Sequence, residues 1–430
     1  MINYKRQILI AAIFLVTAFQ CLGQVEGLRR DVAFMADSVG SRHPGSEGEF
    51  RGRKYIAGRF SDSGLEYSEE TFDIVDRIWG EGSLMLVSGD TVTDFTQGND
   101  FIVRGRSASD SLSAEYVVVL DSLPDTSLGF LRGKVAVCLS RGLRGRTPTI
   151  HEMEQNGVLA VIHVQAEGKG LSRGSSKGGR VHEPYKIPVL ALNHNSLAMF
   201  LPQNVADTLT GNVYAAPPSH RILLYSQHYE TCVKSANIIG MKRGTGNEYI
   251  IIGAHYDTVE PNLKNGEFMR GANDNASGVA LMLALADRLS ETETSSNIFF
   301  IAFGGEEKGC LGSMDFVSRM PFKTESIKEM INLDMLGRME NQTLYYKQIN
   351  NTIINLAGRE CSTLFLKEGQ DALSDHYDFA KIGIPVSYFT TGEDPAIHTS
   401  SDTSDRINYD GLSLALDYLS EYVMEVDKQR

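Results

Sequence analysis

Seven side chains have the types and spacing to hold a pair of metal ions and use them: His255, Asp257, Asp274, Glu306, Glu307, Asp334 and His398. Each alone says little, because a lone imidazole is usually a satisfied polar group and a Glu-Glu pair a solvated face. Together they form the donor set of zinc, which takes histidine nitrogen and carboxylate oxygen and keeps a position open when catalytic. Two zinc ions about 3.5–4 Å apart need a carboxylate between them. Asp274, in the tight loop Gly271-Ala-Asn-Asp-Asn-Ala-Ser-Gly278, is the natural bridge. His255 and Asp334 then complete one metal, and Glu307 and His398 the other. Asp257 leaves the same face of an extended chain as His255 and is expected to accept a hydrogen bond from its second ring nitrogen, fixing the tautomer. Glu306 adjoins a ligand without being one. That places it as the general base, taking a proton from a water held by the metals and passing it to the leaving amine.

These residues recur at one structural place, just past the C-terminal end of a strand. The run Tyr249-Ile-Ile-Ile-Gly253 reads as a short buried strand that delivers His255. A helix over 277–290 follows, then a strand over 297–303, a helix over 311–319, strands over 329–334 and 384–389, and a helix over 411–426. Such alternation predicts an α/β fold with a mixed central sheet and helices on both faces. Ligands gather beyond the carboxyl ends of strands in open α/β sheets, so residues distant in sequence would converge there. Leu28, Val32, Met35 and Ala36 fall at helical spacing. Ser41 to Gly48 reads as a polar loop, Arg51 to Phe60 as a second helix, and Glu66 to Phe72 as a strand.

From about residue 78 the texture becomes short strands separated by Gly, Asp, Ser and Pro, over 83–87, 115–120, 134–139, 158–164 and 187–192, with a helix near 150–156. Gly133-Lys-Val-Ala-Val-Cys-Leu-Ser-Arg-Gly142 and Gly157-Val-Leu-Ala-Val-Ile resemble a protease-associated (PA) domain. The expected organisation is a signal peptide at 1–23, a discontinuous catalytic domain at 24–77 and 221–430, and a mostly-β PA-like domain inserted at 78–220. Ala166 to Arg180 is Gly/Ser-rich and basic, a surface loop. Arg221–Tyr225 and Ser235–Ile239 read as strands leading back to the catalytic domain.

The 430 residues exceed one usual core, and 42% hydrophobic with 22% charged residues is ordinary globular composition. Residues 1–23 carry Lys5 and Arg6 ahead of an apolar run from Ile8 to Phe19, too short to span a bilayer, with a cleavage site after Gly23. The chain is therefore expected to be exported, periplasmic or secreted, with no stable membrane anchor. Lipidation at Cys21 is the rival, and Gln20 before it argues against that. Loss of Lys5 and Arg6 moves the formal charge from −13 to −15, which argues against nucleic-acid partners. Cys138, Cys232, Cys310 and Cys361 are scattered without a CxxC pair, so a thiolate zinc site is not indicated. Cys138, in an apolar strand, reads as a buried free thiol.

Gly-Ala-His255-Tyr-Asp257-Thr, Gly-Ala-Asn-Asp274-Asn-Ala-Ser-Gly, Glu306-Glu307-Lys-Gly-Cys-Leu-Gly-Ser, Asn-Leu-Asp334-Met and Ile-His398-Thr-Ser-Ser-Asp402-Thr resemble the co-catalytic zinc aminopeptidase family, that of bacterial leucyl aminopeptidase and aminopeptidases S and Y. The resemblance implies the zinc-dependent exopeptidase fold, two zinc ions per chain, and peptide substrates whose free amine is held near the metals by Glu307 and Asp334. Ser374-Asp-His-Tyr-Asp-Phe379 resembles the family's pocket-lining segment, which makes Ser374, Asp375, His376 and Phe379 pocket candidates. Asn273 departs from the Asp of many members, and Cys310 is open to oxidation. Glutaminyl cyclases and glutamate-carboxypeptidase-like exopeptidases share the fold. The former differ in the Asp274 loop and have a Trp-rich pocket, against one Trp here, and the latter have a shorter loop between the first His and the bridging Asp. Receptor-like members that have lost the ligands are the non-enzymatic alternative. His43, His151, His163, His182, His194, His220 and His228 match no ligand position.

Overall fold

The structure, a computed structural model, describes residues 23–105, 107–120, 128–139, 149–171, 185–202, 213–261, 268–359, 363–369 and 372–429, with the side chains of 76–78 set aside. The apolar N-terminal run with Cys21, most of the Gly/Ser-rich stretch and Cys361 lie outside them. The chain divides into two units. One holds the described residues up to Ile74 together with Val233–Arg430, and the other runs from Val75 to Cys232.

The first unit is built on a mixed sheet. Its strands lie in the order Phe365–Glu368, Thr343–Ile349, Val386–Thr390, Ile327–Leu333, Tyr249–His255, Asn297–Phe303 and the C-terminal part of His220–Lys242. The 249–255 strand runs parallel to both neighbours, with His255 beside Phe303 and Gly253 beside Asn332. The 327–333 strand in turn pairs in parallel with 386–390. Strands buried on both faces need apolar side chains on both. Ile250, Ile252 and Ala254 accordingly face the helices Ser277–Ser290 and Tyr409–Lys428, while Ile251 faces Phe316 and Phe379 of the helices Leu311–Arg319 and His376–Lys381. This is the α/β architecture expected, with helices on both faces. Leu28, Val32, Met35 and Ala36 are all buried in the same core.

Three differences from the sequence expectation have physical causes. Residues 66–72 and 83–87 belong to one strand, Glu66–Ser88, and 221–225 and 235–239 to another, His220–Lys242. Gly80 and Gly82 do not break the first of these. A Cβ on Gly80 would fall 2.3 Å from Val103, and one on Gly82 would fall 2.3 Å from the Tyr225 carbonyl, so they allow close approach. The strands Thr343–Ile349 and Phe365–Glu368 were not anticipated; at the sheet edge they lack a continuous buried run. The helix expected from Arg51 starts earlier, at Glu47, because the Ser46 side chain accepts the Glu49 N–H as an N-cap.

The second unit contains a six-stranded sheet ordered Phe101–Val103, Val189–Leu192, Ala160–Val164, Val135–Leu139, Tyr116–Val119, Val213–Ala215. Its central strands pair in parallel. Among the described residues its one α-helix, Ile150–Gln155, opens on a capping box from Thr149 and Glu152. Cys138 is a buried free thiol. Among the described residues no helix is long and apolar enough to cross a membrane.

One buried acid lies in the sheet away from the site. Glu329 accepts the Tyr422 hydroxyl at 2.6 Å, and Tyr422 is 3.0 Å from Ser387. Burial pushes the Glu329 carboxyl up to about 7 from an ordinary 4.5. The folded chain thus holds this proton more tightly than the unfolded chain. Its stabilising contribution is complete below about pH 4.5 and is lost as pH rises through 7, by on the order of 3 kcal/mol. Denaturant titrations at pH 5 and pH 8 should therefore differ less for Glu329→Gln than for the wild type. An equal difference in both proteins would exclude this group as the source.

Candidate metal centre

The aligned ends of the central strands bring the chemistry together. His255 ends one strand and Asp334 follows another, its N–H bonded to the Phe389 carbonyl at 3.1 Å. Nε2 of His255 lies 3.2 Å from Asp274 Oδ1 and 3.4 Å from Asp334 Oδ1. Nε2 of His398 lies 3.1 Å from both Asp274 Oδ2 and Glu307 Oε2. Two groups result, His255/Asp274/Asp334 and Asp274/Glu307/His398, and within each the ligand atoms are all within 4.8 Å of one another. Asp274 belongs to both and offers one oxygen to each. Oδ1 of Asp334 is buried and has no hydrogen-bond partner, an arrangement costly without a cation. The donor set of imidazole nitrogen and carboxylate oxygen fits zinc.

The loop carrying Asp274 is held by groups to which the sequence reading gave no role. The Asp402 carboxylate accepts the N–H of Asn273 at 2.9 Å and that of Asp274 at 3.0 Å. Arg338 donates to Asp402 at 3.1 Å and to Asp394 at 2.8 Å. Asn275 donates to the Leu333 carbonyl at 2.9 Å and accepts the Met335 N–H at 3.1 Å, tying the Asp274 loop to the turn that bears Asp334. Asn273 accepts the Gly337 N–H through Oδ1 and donates through Nδ2 to Asp394 at 3.1 Å. An Asp at 273 would set a second carboxylate against Asp394, so an amide suits these surroundings. Asp402 stands four residues beyond His398 in the same short motif, and that spacing was its sequence signal.

Asp257 sits differently from the expectation of a hydrogen bond to His255. Its Oδ1 is 3.5 Å from Nδ1 of His255, long for such a bond. Its two oxygens instead accept the N–H groups of Glu306 at 3.0 Å and Glu307 at 3.2 Å. The carboxylate therefore holds the Glu306-Glu307 turn against the strand end. Oε2 of Glu306 lies 3.9 Å from Nε2 of His255, and the Cys310 thiol contacts Oε1 at 3.7 Å.

So many acids in little water shift one another. Burial raises the Glu306 carboxyl well above its usual range, with Asp334, Asp375 and Glu307 adding to this against the pull of His255. Burial likewise lifts Glu307 to about 7. Asp274 is buried too, yet hydrogen bonds from His255 and His398 hold it below the ordinary carboxylate range. Hydrogen bonds to Asp274 and Glu307 raise His398 to about 10. Burial opposes charge on His255, but Glu306 and Asp334 outweigh it and its pKa is raised.

The four pocket candidates are all fully buried. The Ser374 hydroxyl accepts from Asn332 at 2.9 Å, and His376 stacks on Tyr388 at 4.7 Å between ring centroids. Phe379 packs against Phe303 and Phe316 in the core. Asp375 is the one whose charge acts on the Glu306 carboxyl. Neither of its oxygens has a hydrogen-bond partner, and burial raises its carboxyl to about 8.

Asp402→Ala would leave two buried N–H groups and Arg338 short of an acceptor. Its unfolding free energy should fall by about 3 kcal/mol, measured in denaturant with excess chelator. A change below about 0.5 kcal/mol would show that these groups find other partners.

Residues 237–423 match peptidase family M28, a span holding all seven residues. Aminopeptidase YwaD of Bacillus subtilis is 27% identical over 93% of this chain and 84% of that protein. A probable leucine aminopeptidase of Arthroderma benhamiae is 29% identical, over 38% of this chain and 50% of its own length. Among solved structures, the fold is similar to that of the aminopeptidase from Aneurinibacillus sp. strain AM-1, with a TM-score of 0.60 at 23% identity and 94% of each chain covered. It is also similar to BSAP, a zinc aminopeptidase from Bacillus subtilis, with a TM-score of 0.54 at 23% identity, over 93% of this chain and 95% of that one.

Proposed function

We propose that this chain, whose residues 237–423 match peptidase family M28, is an exported di-zinc aminopeptidase of that family that removes the N-terminal residue from peptides. The observation carrying this reading is Asp274, whose two oxygens face separate imidazoles, each grouped with one further carboxylate. In it His255, Asp274 and Asp334 hold one zinc, and Asp274, Glu307 and His398 the other. Zinc bound there supplies Lewis acidity toward the peptide carbonyl and the attacking water.

The remaining steps belong to the protein. Glu306 takes the proton from the attacking water at a carboxylate oxygen and delivers it to the departing amine. Asp257 keeps that carboxylate in place through the Glu306 and Glu307 N–H groups. Glu307 and Asp334 attract the free ammonium end of the substrate, which a blocked N-terminus lacks. The aminopeptidase YwaD relative aligns along nearly the whole chain, which supports peptides as substrates. The unit from Val75 to Cys232 is read as the PA-like domain, on the strand pieces that suggested it and its six-stranded sheet. Export rests on the basic and apolar pattern of residues 1–23.

Metal analysis of the purified protein should find about two zinc ions per chain. Aminoacyl chromogenic substrates should be cleaved while N-terminally blocked peptides are not. Cyclisation of N-terminal Gln peptides without hydrolysis would instead indicate a glutaminyl cyclase. Glu306→Gln should keep its zinc and lose about 100- to 10,000-fold in kcat; undiminished turnover would mean the base is another group.

A further inference from the structure

Arg42 is fully buried, in a segment that reads from sequence as a polar loop. Its guanidinium donates to four backbone carbonyls: Nε to Tyr256 at 2.6 Å, Nη1 to Met35 and Arg270 at 2.7 Å each, and Nη2 to Gly271 at 2.9 Å. Its own N–H donates to the Thr258 hydroxyl at 3.0 Å. Among the described residues it makes no ion pair within 4 Å, although an isolated buried charge is costly. Burial lowers its pKa to about 10, opposed by Asp257, Asp402, Asp274 and Glu307, so it remains charged at neutral pH. The acids compensating this charge are thus those of the metal centre.

Three of the four acceptors belong to the two segments that carry metal-centre residues, and the fourth, Met35, lies in the helical turn Phe34–Ser38. Tyr256 lies between His255 and Asp257, while Arg270 and Gly271 open the loop that carries Asp274. The seat is closely built. Gly271 has φ +55, and a Cβ there would fall 3.0 Å from Nη2 of Arg42, 2.6 Å from Thr258 and 2.3 Å from the Asp274 carbonyl. The helix that follows, from Glu47, grips Tyr256 from its other end, where the Glu49 carboxylate accepts the Tyr256 hydroxyl at 3.2 Å.

We propose that Arg42 is a positioning residue for the metal pair, setting the separation between the His255–Asp257 strand end and the Asp274 loop by fastening both to one guanidinium. This rests on the di-zinc reading above. A planar fork with five donors can serve four carbonyls at fixed angles, whereas a lysine ammonium has three donors and no plane. The charge also offsets part of the carboxylate excess around Asp274.

The test is chelator competition for zinc on the full mature chain, with near-UV circular dichroism to establish folding and kinetics on an aminoacyl chromogenic substrate. Arg42→Lys should bind zinc about 10- to 100-fold more weakly than wild type. Its zinc-saturated form should show a reduced kcat with KM little changed, a split that mere loss of stability would not produce. A folded Arg42→Lys with wild-type zinc affinity and kcat overturns the proposal. Should that variant not fold, Thr258→Val decides. It removes the hydroxyl that receives the Arg42 N–H at 3.0 Å and faces the Ser41 hydroxyl at 3.3 Å, loosening the Arg42 segment from the strand end, so weakened zinc binding supports the proposal and unchanged binding overturns it. Wild-type protein that binds no zinc sinks the di-zinc reading and this inference with it, whereas zinc-binding wild type beside unaltered variants sinks the inference alone.

Discussion

One carboxylate governs the site. Asp274 faces His255 at 3.2 Å through one oxygen and His398 at 3.1 Å through the other. Near the same two imidazoles crowd Asp257, Glu306, Glu307 and Asp334, all with little access to water. Removing so many like charges from water is unfavourable, and two imidazoles cannot balance them. Such an excess is the usual surrounding of bound divalent cations, which then become the largest local charges. Burial, with the neighbouring carboxylates, raises Glu306, Glu307 and Asp375, while hydrogen bonds from His255 and His398 hold Asp274 low.

Holding Asp274 in that position takes backbone as much as side chains. Asp402 binds the N–H groups of Asn273 and Asp274 from one side, and Asn275 ties the loop to the Asp334 turn from another. Arg42 collects the carbonyls that lead into it. The sheet contributes alignment: parallel pairing sets His255 beside Phe303 and Leu333 beside Phe389, so the loops bearing Asp257, Glu306 and Asp334 emerge at one end. Charge on Arg42 and Arg338 is spent inside the protein on loop geometry, where a surface ion pair would contribute little.

Much of this was legible because it is local. The Tyr249-Ile-Ile-Ile run, the apolar helix over 277–290 and the strand over 297–303 each announce themselves through a periodicity that needs no partner to interpret. The strands at 343–349 and 365–368 did not, since half-exposed edge strands show no buried run. The packing of Phe379 was legible only in the fold. Resemblance marked it for the pocket, yet it lies among Phe303 and Phe316, because the segment from Ser374 enters a helix whose one face must be covered.

The sequence by itself determined the kinds of groups present, their attachment to strand ends and the alternation that makes an α/β sheet, since each follows from residue type and short-range spacing. Only the tertiary structure decided what each group does for its neighbours. Asp257, beside His255 at 3.5 Å, gives its oxygens to the Glu306 and Glu307 N–H groups, and Asp402, Arg338 and Arg42 became the frame of the site. These are contacts between residues separated by dozens to hundreds of positions. Their partners are mostly backbone N–H and C=O groups, which every residue carries and no sequence pattern distinguishes.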